Sequence, residues 1–273
     1  MKRIRRCSKA LAIAVWLAAG LAIGQPVQAE SLTIGAAYSL RAAFQEVVPM
    51  FESEYGVTVK VVYGSSQTLR KEVESGAPME VLLSAADEIE KLQKKGLTLN
   101  GGPEVFAQTS LVFVASAAFQ AMPISFHEMS PERRTRVAIG ALETSVAAPL
   151  TARALRTVDP SYKERFRLLS VPHHEEVINM VRKGEAEVGL VYRVDAIQHS
   201  GQVRIIDETP GGTSTPVRFG QAIVWTCRDE SRAAAEQFSD FFMSPRIQKL
   251  LLKYGFEPAT AVEGGSAGRR TAP

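Results

Sequence analysis

Short apolar runs alternate along this chain with stretches in which apolar residues recur every three or four positions. Leu32-Thr33-Ile34 predicts a strand, and after it Leu40, Ala43, Phe44, Val47 and Phe51 share one helical face up to Tyr55-Gly56. Pro49 lies inside that pattern and is expected to kink or shorten the helix. A second unit follows, a strand over 57–62 and a helix from about Ser66 through Leu69 and Val73 to Gly76. A third sets Val81-Leu82-Leu83 as strand and Asp87 with Glu90 as a capping box, opening a helix that ends near Gly96. This alternation predicts an α/β fold with mostly parallel sheet and helices on both faces.

The run 109–115 is too apolar for a strand with one wet face and is expected to carry the chain into a second lobe. There the pattern predicts a strand at 137–139, a helix near 147–155, a strand over 167–171, a helix from about His174 to Lys183 and a strand over 188–191. A strand over 203–207 then leads into the Pro- and Gly-rich loop 210–216. Beyond it come a strand at 222–225 and two helices, 231–243 and 245–253, divided at Ser244-Pro245. No internal repeat recurs at a fixed period.

The N-terminus changes this picture first. Lys2, Arg3, Arg5 and Arg6 precede an apolar stretch over 10–23 that closes on Val27-Gln28-Ala29, so 1–29 reads as an export signal cleaved near Ala29. The stretch is short for a membrane span, and Cys7 lies ahead of it, away from the cleavage pattern. Cleavage leaves Cys227 as the sole cysteine, unable to form an internal disulfide. Roughly 240 remaining residues can bury one large core or two small ones without a staple. The net charge of +3 comes largely from the signal and from Arg269 and Arg270, so a basic nucleic-acid surface is not indicated. The small, polar tail reads as disordered.

Candidate chemistry gathers at strand ends. Ala36-Ala37-Tyr38-Ser39-Leu40 and Gly64-Ser65-Ser66-Gln67-Thr68-Leu69 each run from a strand through small residues into a serine that opens a helix. Hydroxyls and unpaired helix N–H groups there would make an anion site without a positive side chain. Either serine alone could be a simple N-cap. Two of them after successive parallel strands fall on one sheet edge, where open α/β folds bind ligands. Tyr192 also stands at a strand's carboxyl end, although a packing tyrosine is equally compatible with that spacing. His173-His174-Glu175-Glu176 suits an acidic helix start better than a metal site, because adjacent helical side chains do not converge. The familiar nucleophile-elbow, phosphate-loop, zinc and redox motifs are absent, and Cys227 on an apolar strand reads as an inert thiol.

These residues, with Ser75-Gly76-Ala77-Pro78, Ser84-Ala85-Ala86-Asp87, Gly189-Leu190-Val191-Tyr192 and Lys253-Tyr254-Gly255-Phe256, resemble the periplasmic molybdate-binding proteins of ABC importers. That family belongs to the two-lobed (type II) periplasmic binding proteins, and the resemblance covers nearly all of the chain beyond the signal. It implies two α/β lobes joined by hinge strands: residues 30–109 with 219–260, and 110–218, leaving 261–273 as tail. It implies an oxyanion held by the hydroxyl and N–H of Ser39 and Ser66, the hydroxyl of Tyr192, and backbone N–H groups at Ala147 and His174. It also implies molybdate or tungstate as ligand, no cofactor, no bound metal cation, no catalysis, a membrane permease as partner, a periplasmic location and a monomer. The chain departs from the family pattern over 140–150, around Ala147. A histidine at 174 stands where the family has an aliphatic residue, and its side chain either points away or adds a donor and a pH-dependent charge to the pocket. Two alternatives stay open: the same fold binding sulfate or a small organic anion, and an exported hydrolase using an Asp, a His or Cys227.

Overall fold

The computed structural model describes residues 31–118, 134–141, 148–172, 174–208 and 216–259. The proposed signal, Ala147, nearly all of the loop 210–216 and the tail lie outside the described residues. The first three units form as the periodicity predicts: β1 (Ser31–Ala37) and α1 (Arg41–Tyr55), β2 (Thr58–Gly64) and α2 (Ser66–Glu74), β3 (Val81–Ala85) and α3 (Ala86–Lys94). The chain continues through β4 (Glu104–Thr109), β5 (Leu111–Ser116), β6 (Thr135–Gly140), α4 (Ala148–Val158), α5 (Tyr162–Arg165) and β7 (Phe166–Val171). It closes with α6 (His174–Lys183), β8 (Val188–Tyr192), α7 (Arg193–Gln198), β9 (Val203–Glu208), β10 (Val217–Ile223), α8 (Arg232–Met243), α9 (Pro245–Lys253) and β11 (Glu257–Pro258).

Two sheets result, a six-stranded one in the order β11-β4-β10-β3-β1-β2 and a five-stranded one in the order β7-β6-β8-β5-β9. Strands belonging to β-α-β units pair in parallel, β1 with β2 and β3, and β6 with β7 and β8. Strands that carry the chain between sheets pair antiparallel, β10 with β3 and β4, and β5 with β8 and β9. Each sheet is therefore mixed where the sequence pattern suggested mostly parallel pairing, because a strand arriving from the other sheet is not bound by the crossover geometry of a β-α-β unit.

Alternation sorts side chains between two faces. On β3, Val81, Leu83 and Ala85 join the cluster that contains Phe44, Phe51, Phe238 and Phe242, while Leu82 faces Leu69, Val73, Ile89 and Leu92 of α2 and α3. A strand covered on both faces needs the unbroken apolar run seen in the sequence. In the second sheet Val112 and Val114 of β5 face Val177, Ile178 and Val181 of α6, whereas Leu111 and Phe113 turn toward the larger cluster. That cluster is continuous between the sheets, bridged where the Tyr192 ring meets Phe219 edge-on at 6.1 Å.

Three local expectations are corrected. Helix α1 runs unbroken through Pro49, so the proline does not shorten it, and it ends where Gly56 takes φ 70 and donates to the Glu52 carbonyl. The Asp87–Glu90 capping box does not form: α3 starts two residues earlier, with Ala85 as N-cap, and Glu90 instead accepts from Arg218 at 3.1 Å. The apolar run 109–115 is two strands divided at Ser110, one in each sheet, and that division is where the chain crosses over.

Candidate functional site

Strand β2 lies on one side of β1 and β3 on the other, so the connection from β2 to β3 passes over β1 and the strand order reverses there. Such a reversal parts the flanking helices and opens a crevice at the carboxyl ends of the strands. Parallel pairing with Ala37 opposite Gly64 and Ala36 opposite Leu83 brings the ends of β1, β2 and β3 to one edge. Ser39, Ser66 and Ala85 stand on that edge.

Neither serine caps a helix. Ser39 sits inside a single 3-10 turn, Tyr38–Leu40, that precedes α1, and it is nearly fully buried. The capping of α2 is done by Ser65, whose Oγ accepts from the Thr68 N–H at 3.1 Å. Relieved of that task, the Ser66 Oγ accepts from the Ala85 N–H at 3.0 Å, linking the start of α2 to the junction of β3 with α3. A serine hydroxyl has one proton to give, and with its acceptor side engaged by Ala85 that proton is left for a further acceptor. Gly64 allows this approach, since a Cβ there would come within 3.1 Å of Leu69. Arg70 of α2 braces it from below, bonding Glu88 of α3 at 2.6 Å while also pairing with Glu74.

The helix starts differ in charge. Helix α3 carries Asp87 and Glu88 in its first turn, complementing its own dipole, whereas α1 and α2 carry no acidic residue there. Two positive helix ends are thus left for an external anion. Beside them the Arg41 guanidinium lies 5.1 Å from the centre of the Tyr38 ring and 5.0 Å from that of Tyr63. Burial raises the Tyr63 phenol and the Arg41 charge partly offsets that rise.

The second sheet contributes Tyr192 at the end of β8. Its ring rests on Phe219, which pairs in register with Ala85, the residue that bonds Ser66. Burial pushes its phenol well above the usual range, and the nearby charges of Asp195, Glu88 and Asp87 push it the same way, so the group is a protonated donor throughout the neutral range. Helix α7 follows directly, and its Gln198 donates from Nε2 to the Ser39 carbonyl at 3.0 Å and to the Tyr254 carbonyl at 3.3 Å. Ser39, Ser66 and Tyr192 are therefore joined through Gln198, Ala85 and Phe219 into one neighbourhood between the sheets. Neither Gln198 nor the Ala85 N–H stood out in the sequence; a glutamine on a short helix carries no periodic signal, and the N–H acts through backbone placement alone.

The remaining sequence candidates fare unequally. Residue 174 opens α6 at the carboxyl edge of the second sheet, its side chain outside the described part, and Ala147 is outside altogether. Cys227 is half-buried in a turn beyond β10 rather than on the strand, and burial with the Glu80 charge raises its thiol, which disfavours the nucleophilic thiolate. Among the described residues no group of three or more His, Cys, Asp or Glu comes together to hold a cation, and no helix is long and apolar enough to cross a membrane.

Known proteins bear on this architecture. The molybdate-binding protein ModA of Haemophilus influenzae is 28% identical over 261 residues, covering 94% of this chain and 99% of its own. Among solved structures, the periplasmic molybdate-binding protein of Azotobacter vinelandii superposes with a TM-score of 0.69 at 20% identity, over 84% of this chain and 100% of its own. The sulfate-binding protein SubI of Mycobacterium tuberculosis reaches a TM-score of 0.72 at 19% identity, over 85% of this chain and 88% of its own. At those identities the two structures speak for the shared fold. The family described as bacterial extracellular solute-binding protein matches residues 32–257, both sheets and the edge between them included, and it is to this family that the chain belongs.

Proposed function

We propose that the protein captures molybdate, and tungstate with it, between its two sheets and delivers it to the membrane permease of an ABC importer. One observation carries the reading: the Ser66 hydroxyl is engaged as acceptor by the Ala85 N–H, so that its proton is available at the reversal of strand order, beside two helix starts that hold no carboxylate. The molybdate-binding relative that spans almost the whole chain supports the choice of ligand. Ser39 and Ser66 give hydroxyl and N–H, Tyr192 its phenol, and residues 147 and 174 their N–H groups. Each hydrogen bond to the charged ligand contributes ~1.5–3 kcal/mol, enough for several neutral donors to hold a dianion.

Selection follows from the same donors. Molybdate and tungstate are nearly alike in size, whereas the smaller sulfate leaves fixed donors on one side underbonded. Phosphate retains a proton near neutral pH and needs a strong acceptor, which a set of N–H and O–H donors without a carboxylate does not supply. The binding unit consists of two lobes, 30–109 with 219–260 and 110–218, closing about the crossing near Ser110. It works as a monomer in the periplasm after loss of residues 1–29, without cofactor and without turning over its ligand.

The altered sequence around Ala147 and His174 favours one rival, the same architecture holding sulfate or a small organic anion. Titration calorimetry with molybdate, tungstate, sulfate and phosphate separates the two. Submicromolar molybdate and tungstate with sulfate at least about 100-fold weaker is the expected outcome. Tight sulfate binding without a molybdate response would establish the rival.

A further inference from the structure

We infer that Arg41, clamped between the Tyr38 and Tyr63 rings at the rim of the oxyanion crevice, is a steering cation that speeds the capture of dianions over monoanions of the same shape. The inference rests on the oxyanion reading above and adds a charged group to a site that the sequence presented as wholly neutral.

Arg41 is an exposed residue at the first position of α1, two residues beyond Ser39. A cation there is unfavourable for the helix itself, because the N-terminus of a helix is already its positive end. Helix α3, on the same edge, has the opposite and self-stabilising arrangement with Asp87 and Glu88. The arginine is nevertheless held in place. Tyr38 directly precedes Ser39, Tyr63 directly precedes Gly64 of the Ser66 turn, and both ring centres lie about 5 Å from the guanidinium carbon. Tyr63 is itself fixed by an edge-on contact with the buried Phe44 at 6.5 Å. A guanidinium stacked on aromatic rings keeps its charge and gives up little of its hydration, so it remains effective over distance.

A positive charge at the mouth of a crevice raises the local concentration of an approaching anion by a factor that grows exponentially with that anion's charge, so a dianion gains the square of a monoanion's factor. The effect therefore belongs to the association rate and weakens with salt, while the neutral donors inside govern dissociation. Discrimination by charge follows: molybdate, carrying two charges, gains more than perrhenate, a tetrahedral oxyanion of similar size carrying one.

Stopped-flow measurement of the protein's intrinsic fluorescence with molybdate and with perrhenate, over a range of ionic strengths, tests this. For R41Q the molybdate association rate is expected to fall about three- to five-fold at low ionic strength, the perrhenate rate by no more than about two-fold, with the gap closing as salt is added. R41K retains the charge and should keep most of the molybdate rate. A thermal melt of each ligand-free variant controls for folding. An R41Q rate equal to wild type at low salt, or an equal loss for both anions, would overturn the inference while leaving the oxyanion reading intact. A wild-type protein that binds none of molybdate, tungstate and sulfate would overturn both.

Discussion

In the six-stranded sheet the first three strands stand in the order β2-β1-β3, and in the five-stranded sheet β6, β7 and β8 repeat it as β7-β6-β8. Each trio is then joined, beside its third strand, by an antiparallel strand arriving from the other sheet, β10 in one and β5 in the other. Ser66 and Ala85, at the ends of β2 and β3, thus correspond in position to His174 and Tyr192, which follow β7 and end β8 at the second edge. The first edge carries the hydroxyls of Ser39 and Ser66 where its helices begin, while the second has a histidine at the start of α6 and a phenol at the end of its third strand. One topology supplies helix N-termini twice, and side-chain chemistry then makes the two edges unequal. The duplication lies in strand order alone, which is why no repeat shows in the sequence.

The sharpest way to break the comparison is to remove its hydroxyls. Ser39→Ala/Ser66→Ala is expected to weaken molybdate binding by roughly 100-fold or more in calorimetry, and Tyr192→Phe by about 10-fold, from the worth of hydrogen bonds to a charged ligand. Equal losses from Tyr192→Phe and the double variant would erase the asymmetry. Packing provides the next contrast. A Cβ on Gly189 of β8 would lie 2.7 Å from Val177 and 2.9 Å from Val181, both branched and stiff, whereas one on Gly35 of β1 meets the flexible thioether of Met79 at 2.6 Å. Gly189→Ala should therefore destabilise by about 1–3 kcal/mol and Gly35→Ala by less, read from denaturant midpoints.

A smaller effect is expected at the bond that joins the two edges. Gln198→Ala removes the donor to the Ser39 and Tyr254 carbonyls and should raise the molybdate Kd about three- to ten-fold, with little change in the melting temperature of the ligand-free protein. A lower melting temperature with unchanged affinity would make Gln198 a packing residue only. The smallest effect concerns acid. Hydrogen bonds from Ser161 and Arg165 hold the Asp159 carboxyl down at about 2, below its ordinary 3.8. Stability from a lowered carboxylate is complete above the unfolded value and is lost as pH falls from about 4 to 2. Asp159→Asn should reduce that acid sensitivity slightly, measured as melting temperature at pH 4 and pH 2, and leave ligand binding untouched.

Much of the fold was legible because its central strands, such as β3, β5 and β8, are buried on both faces and its helices on one. Val81-Leu82-Leu83 and the face Leu40, Ala43, Phe44, Val47 and Phe51 announce themselves by period. What period does not carry is partner choice. The antiparallel arrival of β10 and β5 and the bond from Gln198 to Ser39, 159 residues away, depend on contacts distant in sequence. The candidate site was legible as serines at strand ends, but the hydrogen bonds that those serines make were not. Ser65 takes the cap of α2, and that placement frees the Ser66 hydroxyl to accept from Ala85. Nothing in the pattern singles out Arg41, because its contacts with the Tyr38 and Tyr63 rings depend on the pairing of β1 with β2.

The central claim is that one oxyanion bridges the serine edge of the first sheet and the phenol of the second. Crystals grown with tungstate and measured at the tungsten absorption edge test it most directly. One strong anomalous peak is expected, with surrounding oxygens about 2.6–3.2 Å from Ser39 Oγ, Ser66 Oγ and the Tyr192 hydroxyl together. A peak that touches only one sheet, or none between Ser66 and Tyr192, would contradict it.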